Sequence, residues 1–352
     1  MIESLIGDSR RRKYAPSPVF DSITNYYISP DAYVNWSSKG GDPLEFKRRV
    51  KEYLIWYVNQ SVEPYVESLP FLKIELPEDM NKREEYVLSF DKNLQEFLDR
   101  RKTVKVTVHA KGVESYIVPL TAEEVKRKVR TKTNYTGGFE INLEHDSIQR
   151  MLTSFSHEVA HTYFYDISCD PPKCLVSNHV LGKREWYREF EGLAFDLGRE
   201  ILLPKKEFEK YVTAKYKSPS LENFLKMHSE LKVSKEVLSQ RLLRDLKLWK
   251  ACIFWGKVSY KDLKIFDKRF PGPHIFVRHR DKRKGGFRNF SLTKELTDPN
   301  SNLRNTILEH IDREKIESRS ITLRNKNYVL DIKSKELTND EKWFISLLYV
   351  LV

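Results

Sequence analysis

The stretch SFSHEVAHTYFYD, Ser154–Asp166, decides how the rest of this chain is read. It sets His157 and His161 four residues apart, with Glu158 directly after the first. A separation of four brings two side chains to one side of a helix, and H-E-x-x-H on a helix is a spacing by which two imidazoles hold a zinc ion beside a glutamate base. Stepping residues 148–163 by about 100° each places Ile148, Met151, Leu152, Phe155 and Val159 on one side and both histidines on the other. The helix is therefore expected to be anchored by its back and to turn its imidazoles to a cleft.

Two imidazoles leave a metal short of ligands, so a third must come from elsewhere. The stretch EWYREFEGLAFDLGREILLP, residues 185–204, reads as a second helix with two competing acids, Glu189 and Glu191. Glu191 shares its side with Ala194, Phe195, Gly198 and Leu202, whereas Glu189 falls with Asp196 and Glu200 on a face expected to be solvated. Small residues at 194 and 198 would let the two helices approach closely, offsetting the roughly 1 kcal/mol that glycine costs inside a helix. Glu191 is the expected third ligand, a gluzincin-type arrangement that leaves the fourth position open. Zn²⁺ is the metal of first choice, and Mn²⁺ or Fe²⁺ would accept the same donors.

Around this centre the periodicity predicts an amphipathic helix in DPLEFKRRVKEYLIWYVNQSVEPYV and strands in KTVKVTVHAKG, SYIVPL and GGFEINLEHD. The order of an F-x-I-N strand (Phe139–Asn142), H-E-x-x-H, E-x-x-A (Glu191, Ala194) and I-L-L-P (Ile201–Pro204) resembles the ImmA/IrrE family of metallopeptidases. Val233, Ser234, Leu238, Arg241 and Leu242 resemble that family's V-S-x-x-x-L-x-x-R-L signature in the helical region after the core. The match covers roughly residues 100 to 248. The chain reads Ser154, Phe155, Ser156 where the family usually has a phenylalanine-threonine pair and an alanine before the first histidine.

The resemblance implies a zincin-like core and limited proteolysis of a helix-turn-helix repressor, in stress response or mobile-element transfer. In such a site a metal-activated water is the nucleophile and Glu158 the general base. Sequence proximity offers Tyr163, Tyr165 and His179 as donors to the developing oxyanion, with His179 first, and Asp196 or Asp166 as acceptors orienting the imidazoles.

The expected fold class is α+β. A helical or irregular region over residues 1–100 precedes the peptidase core at 101–215, a helix-turn-helix-like region at 216–250 and a small α+β domain at 251–352. In the third segment Lys235, Gln240 and Arg244 would meet bases if the second helix read DNA; packing is favoured, because Leu238, Leu242 and Leu246 form a stripe that needs burial. In the last domain the run from Lys257 to Arg288 is basic and interleaved with aromatics. Arg278, Arg280, Lys282, Arg283 and Lys284 are candidates for contacting nucleic acid, or else RHRDKRKGG is a solvated turn between strands HIFVRHR and GFRNFSL. The final WFISLLYVLV is too short to span a bilayer and reads as a buried strand or last helix.

With 352 residues, 40% hydrophobic and 12% aromatic, the chain is expected to fold, and its net charge of +12 favours acidic partners. It shows no membrane span or signal peptide, and a cytoplasmic location is expected. Cys169, Cys174 and Cys252 make no disulfide framework. CDPPKC has the spacing of half a structural zinc site but lacks a second pair, so two ordinary loop thiols are expected. Two functions stand: a zinc-dependent endopeptidase acting on a regulatory protein, or a DNA-binding regulator whose peptidase-like core is no longer catalytic.

Overall fold

A computed structural model of the chain describes residues 17–27, 43–77, 84–110, 114–129, 137–260, 263–265, 268–270, 274–282, 291–311, 315–323, 326–338 and 341–349. Helices and strands are mixed, as the α+β class requires, and the chain divides into two compact units, Met1–Glu207 and Phe208–Val352.

In the first unit, helices α1 (Pro18–Tyr27) and α2 (Pro43–Val62) precede strand β1 (Glu85–Val87) and helix α3 (Lys92–Arg100). Strands β2 (Thr103–His109) and β3 (Tyr116–Leu120), helix α4 (Ala122–Val129) and strand β4 (Gly138–Glu144) follow. The sheet runs β1-β2-β4-β3, with β2 and β4 parallel and both outer pairings antiparallel. All three strands expected between residues 103 and 144 are therefore present. Phe139, Ile141 and Leu143 alternate along β4 and are fully buried, as a central strand demands. On the opposite face of β4 the Glu140 carboxylate is held by Lys105 at 3.1 Å and by Lys128.

Helix α5 (Ile148–His161) packs on β4. Its back is the expected stripe: Met151, Leu152, Phe155 and Val159 are at most 2% exposed. At its C-terminal end Arg101 donates to the Thr162 carbonyl at 2.7 Å and stacks 3.9 Å from the Tyr163 ring centroid, placing a cation where the helix dipole is negative. The short strands β5 (Tyr165–Asp166) and β6 (Lys173–Cys174), helix α6 (Asn178–Leu181) and the long helix α7 (Arg184–Leu202) complete the unit. The face of α7 carrying Glu189, Asp196 and Glu200, expected to be solvated, is instead covered by α2. Lys47 meets Glu189 at 2.9 Å, Lys51 pairs with Asp196, and Asn59 donates to Glu200 at 2.7 Å. The polar pattern on α7 thus matches a charged neighbour rather than water.

Helix α8 (Lys205–Lys215) contains the division. In the second unit α9 (Leu221–Leu231) and α10 (Lys235–Gln240) are joined by a tight turn, and a π-helical segment, Arg241–Asp245, continues α10. Ser234 caps α10 by accepting from the Val237 backbone N–H at 3.2 Å, and Val233, Leu238, Arg241 and Leu242 are buried. The V-S-x-x-x-L-x-x-R-L pattern is accordingly a capping and packing pattern. Leu246, expected on the same stripe, lies half-buried beyond the helical turns, while Arg244 is exposed and Lys235 and Gln240 are half-buried.

The remaining elements are β7 (Ala251–Ser259), β8 (Leu263–Ile265), β9 (Lys268–Phe270), β10 (His274–Lys282), α11 (Leu292–Thr297), α12 (Asn302–His310), β11 (Glu317–Leu323), β12 (Lys326–Thr338) and β13 (Glu341–Tyr349). Five of them form an antiparallel sheet in the order β10-β7-β13-β12-β11. One face is closed by α11 and α12 over Phe254, Leu330, Phe344 and Leu348. Asp331, 2% exposed, joins the other face to the helices by accepting from the Leu221 backbone N–H at 2.8 Å.

Two expectations are corrected here. β10 runs through Lys282, so the expected strand HIFVRHR extends over Asp281 and Lys282, residues expected in the turn. Leu292, expected at the end of a strand, opens α11, whose first turn is capped by Ser291. Arg283 and Lys284, with the rest of 283–290, lie outside the described residues, as does the Lys282 side chain. In the closing apolar run, residues 343–349 belong to strand β13 (Glu341–Tyr349) rather than to a helix. No helix among the described residues is long and apolar enough to cross a membrane.

Candidate metal centre

Helices α5 and α7 are brought together at Gly198. A methyl group there would stand 3.1 Å from the His157 backbone nitrogen and equally close to the Ser156 carbonyl carbon and oxygen. Backbone therefore lies against backbone, with Ala194 fully buried one turn away. This is the close approach that the small residues on α7 predict. It sets Glu191, two turns before Gly198, opposite His157 and His161.

The three side chains converge. His157 Nε2 is 3.0 Å from Glu191 Oε2 and 3.0 Å from His161 Nε2, and His161 Nε2 is 3.7 Å from Glu191 Oε2. Ligands held tetrahedrally at about 2.0–2.1 Å from one centre stand about 3.3 Å apart, and the three observed separations straddle that value. Among the described residues this is the group of histidine, cysteine and acidic side chains whose donor atoms lie close enough together for a metal, within 4.8 Å of one another. Cys169 and Cys174 are not part of it. They are free, half-buried thiols, and burial pushes the Cys174 thiol up.

The electrostatics suit a cation. Burial lowers the His161 imidazole, favouring the neutral ring that a metal requires. Burial alone would raise the Glu191 carboxyl, but hydrogen bonding to His157 and His161 and their charges outweigh it and hold the group well below the usual carboxylate range. Glu158, 5% exposed on α5 in the same turns as the two histidines, is pushed up to about 7 by burial and by the Glu191 charge, against the pull of His157.

The groups that orient the imidazoles differ from those expected. Asp196 is engaged by Lys51 and Arg199, and Asp166 accepts from the Ser168 backbone N–H at 2.9 Å and its hydroxyl at 2.6 Å. Neither reaches a histidine among the described residues, and His157 Nδ1 is buried without a hydrogen-bond partner. Phenylalanines from α7 hold the rings instead. Phe195 lies over His157 with centroids 4.0 Å apart, and Phe190 over His161 at 5.0 Å.

Of the proposed oxyanion donors, Tyr163 is fully buried and paired with the Ser61 hydroxyl at 2.5 Å, pointing to α2 rather than the ligands. Tyr165 is half-buried, and burial raises its phenol to about 12, with the charges of Cys174 and Glu158 adding to the effect. His179 is exposed on α6, and among the described residues no hydrogen bond or ion pair joins it to the cluster. Tyr187, which sequence proximity to H-E-x-x-H does not single out, stands one turn before Glu191 and is 50% exposed. Burial and then the neighbouring Glu191 and Glu158 charges raise its phenol. Its spacing of four from Glu191 was the available signal.

The nucleic-acid candidates separate. Arg278 stacks over Trp343 with its guanidinium 4.3 Å from the ring centroid, whereas Arg280 donates to the Thr293 hydroxyl at 3.0 Å beside α11. The two lie on opposite faces of the sheet, because the pairing of β10 with β7 shifts by one residue between Val277 and His279. No protein-family model matches the chain, and no curated protein matches it in sequence.

Proposed function

We propose that the Met1–Glu207 unit is the zincin-like core of a metal-dependent endopeptidase of the ImmA/IrrE kind, cutting a regulatory protein such as a helix-turn-helix repressor in the cytoplasm. The observation that carries this reading is the convergence of His157, His161 and Glu191 from two helices locked together at Gly198, with Glu158 beside them. A divalent cation, zinc by preference and manganese or iron by the same donor chemistry, would supply Lewis acidity and make a water nucleophilic near neutral pH.

His157 and His161 would present Nε2 to that ion, and Glu191 an oxygen. Glu158 supplies the proton acceptor: its carboxyl accepts no hydrogen bond among the described residues, so it is uncommitted and can take a proton from water and return it to a leaving amine. Tyr187 and Tyr165 carry phenols that feel the Glu158 charge, and in this reading they take the place of the exposed His179 as donors to an oxyanion. Phe195, 48% exposed beside His157, and Tyr187 form an aromatic rim suited to an extended apolar segment of a substrate.

Metal analysis of the purified full chain tests the reading. The wild type should carry about one divalent ion per chain and His161→Ala none. Glu158→Gln should keep ion and fold but lose cleavage of a fluorogenic peptide library by about a hundredfold or more. Equal metal content in wild type and His161→Ala would overturn the proposal.

A further inference from the structure

The second unit carries a surface that the metal centre does not use. On the sheet face opposite α11 and α12, the register aligns Lys335 with Trp343 and Trp343 with Lys257. The next row aligns Lys333 with Ile345 and Ile345 with Trp255. One row further, Asp331, Leu347 and Ile253 are buried. Arg278 is the extra residue of the β10 bulge, and its guanidinium lies over Trp343 on this same side. Arg278, Lys333 and Lys335 are exposed, and Trp255, Lys257 and Trp343 are partly so. Among the described side chains neither row contains an acid.

The geometry points to a docking surface for single-stranded nucleic acid, with bases stacking at Trp343 and Trp255 and phosphates meeting Arg278, Lys333 and Lys335. Cations alone would attract any polyanion, so the indoles decide the class. In a duplex the base faces are already stacked and a flat sheet does not enter a groove, whereas an unpaired strand offers a ring to each indole and a phosphate to the flanking cation. An acidic polypeptide would satisfy the cations and leave the indoles unused. Diagonal positions on adjacent antiparallel strands put Trp255 and Trp343 roughly 7 Å apart, which is the reach of neighbouring unstacked bases on a sheet platform. The inference is independent of the metal centre, since every residue it uses lies in the second unit.

Fluorescence polarisation with the full chain and a labelled oligothymidylate of about 20 nucleotides tests it. The wild type should bind with a salt dependence set by the phosphates contacted. Lys333→Ala with Lys335→Ala should reduce the magnitude of the log–log salt slope by about 1.4, two contacts at about 0.7 each. Trp343→Ala should weaken binding about tenfold, and Trp343→Phe should restore part of the loss. The lysine variants change exposed residues only, so their result stands if Trp343→Ala fails to fold. The inference is overturned if the wild type does not bind, if a duplex of equal length binds as tightly, if polyglutamate displaces the strand at equal charge, or if the lysine variants keep the wild-type slope.

Discussion

A metal-ligating imidazole is ordinarily oriented by an acceptor on its second nitrogen, which also strengthens it as a ligand. His157 has no such acceptor among the described residues, and its plane is set by contact with Phe195 instead. Ring contact fixes direction without raising basicity, so affinity for the ion should depend on that contact. Phe195→Ala is expected to weaken metal binding about tenfold in a chelator competition while leaving the circular dichroism unchanged, because the ring is 48% exposed and carries little of the core. Unaltered affinity would show that the imidazole holds its plane without the ring. Helical periodicity made His157, His161 and Glu191 legible, since each follows from which side of a helix a residue takes. It did not reveal the phenylalanines as supports, because an aromatic flanking a ligand reads equally well as plain core. Nor did it reveal that Asp196 is spent on Lys51, a partner 145 positions away with no local signature.

At the scale of elements, the α5–α7 contact sets the site, and Gly198 offers a test whose sign is informative. In an ordinary exposed helix, glycine to alanine gains up to about 1 kcal/mol. Here the added methyl would meet three backbone atoms at 3.1 Å that no side-chain rotation can move, so overpacking of about 1–3 kcal/mol should win. Gly198→Ala is therefore expected to lower the urea midpoint and to weaken metal binding together, by displacing Glu191 from the histidines. A rise in the midpoint would mean that the helices yield without cost. Strands β2, β3, β4 and β10 were legible from alternation and from apolar runs, whereas the three-residue β1 was too short to give a period and the apolar run of β13 read equally as a helix. What alternation missed was the cover that α2 gives to the polar face of α7. Charged residues paired across helices look, in one dimension, the same as charged residues facing water.

For the whole molecule, the division into Met1–Glu207 and Phe208–Val352 assigns the candidate metal ligands to one unit and the Trp343 surface to the other. Calorimetry should then resolve two unfolding transitions. An ion at a hundred times its Kd stabilises the unit that holds it by about 2.7 kcal/mol. Chelation should lower one transition by roughly 5–10 °C and leave the other in place. His161→Ala should lower the same transition and abolish its response to chelator, whereas movement of both transitions together would show that the chain unfolds as one cooperative body. The arrangement of charge on the second unit has a different origin: one surplus amino acid at position 278 adds a guanidinium over Trp343, while the residues after it keep their pairing with β7. Deleting it would restore strict alternation, leave Arg280 opposite Phe254 on the helix side and remove the guanidinium from over Trp343, at a cost of one positive charge in sixty-two. Kindred chains could thus gain or lose a cation on one surface through a single-codon insertion or loss, with the opposite surface and the isoelectric point almost untouched.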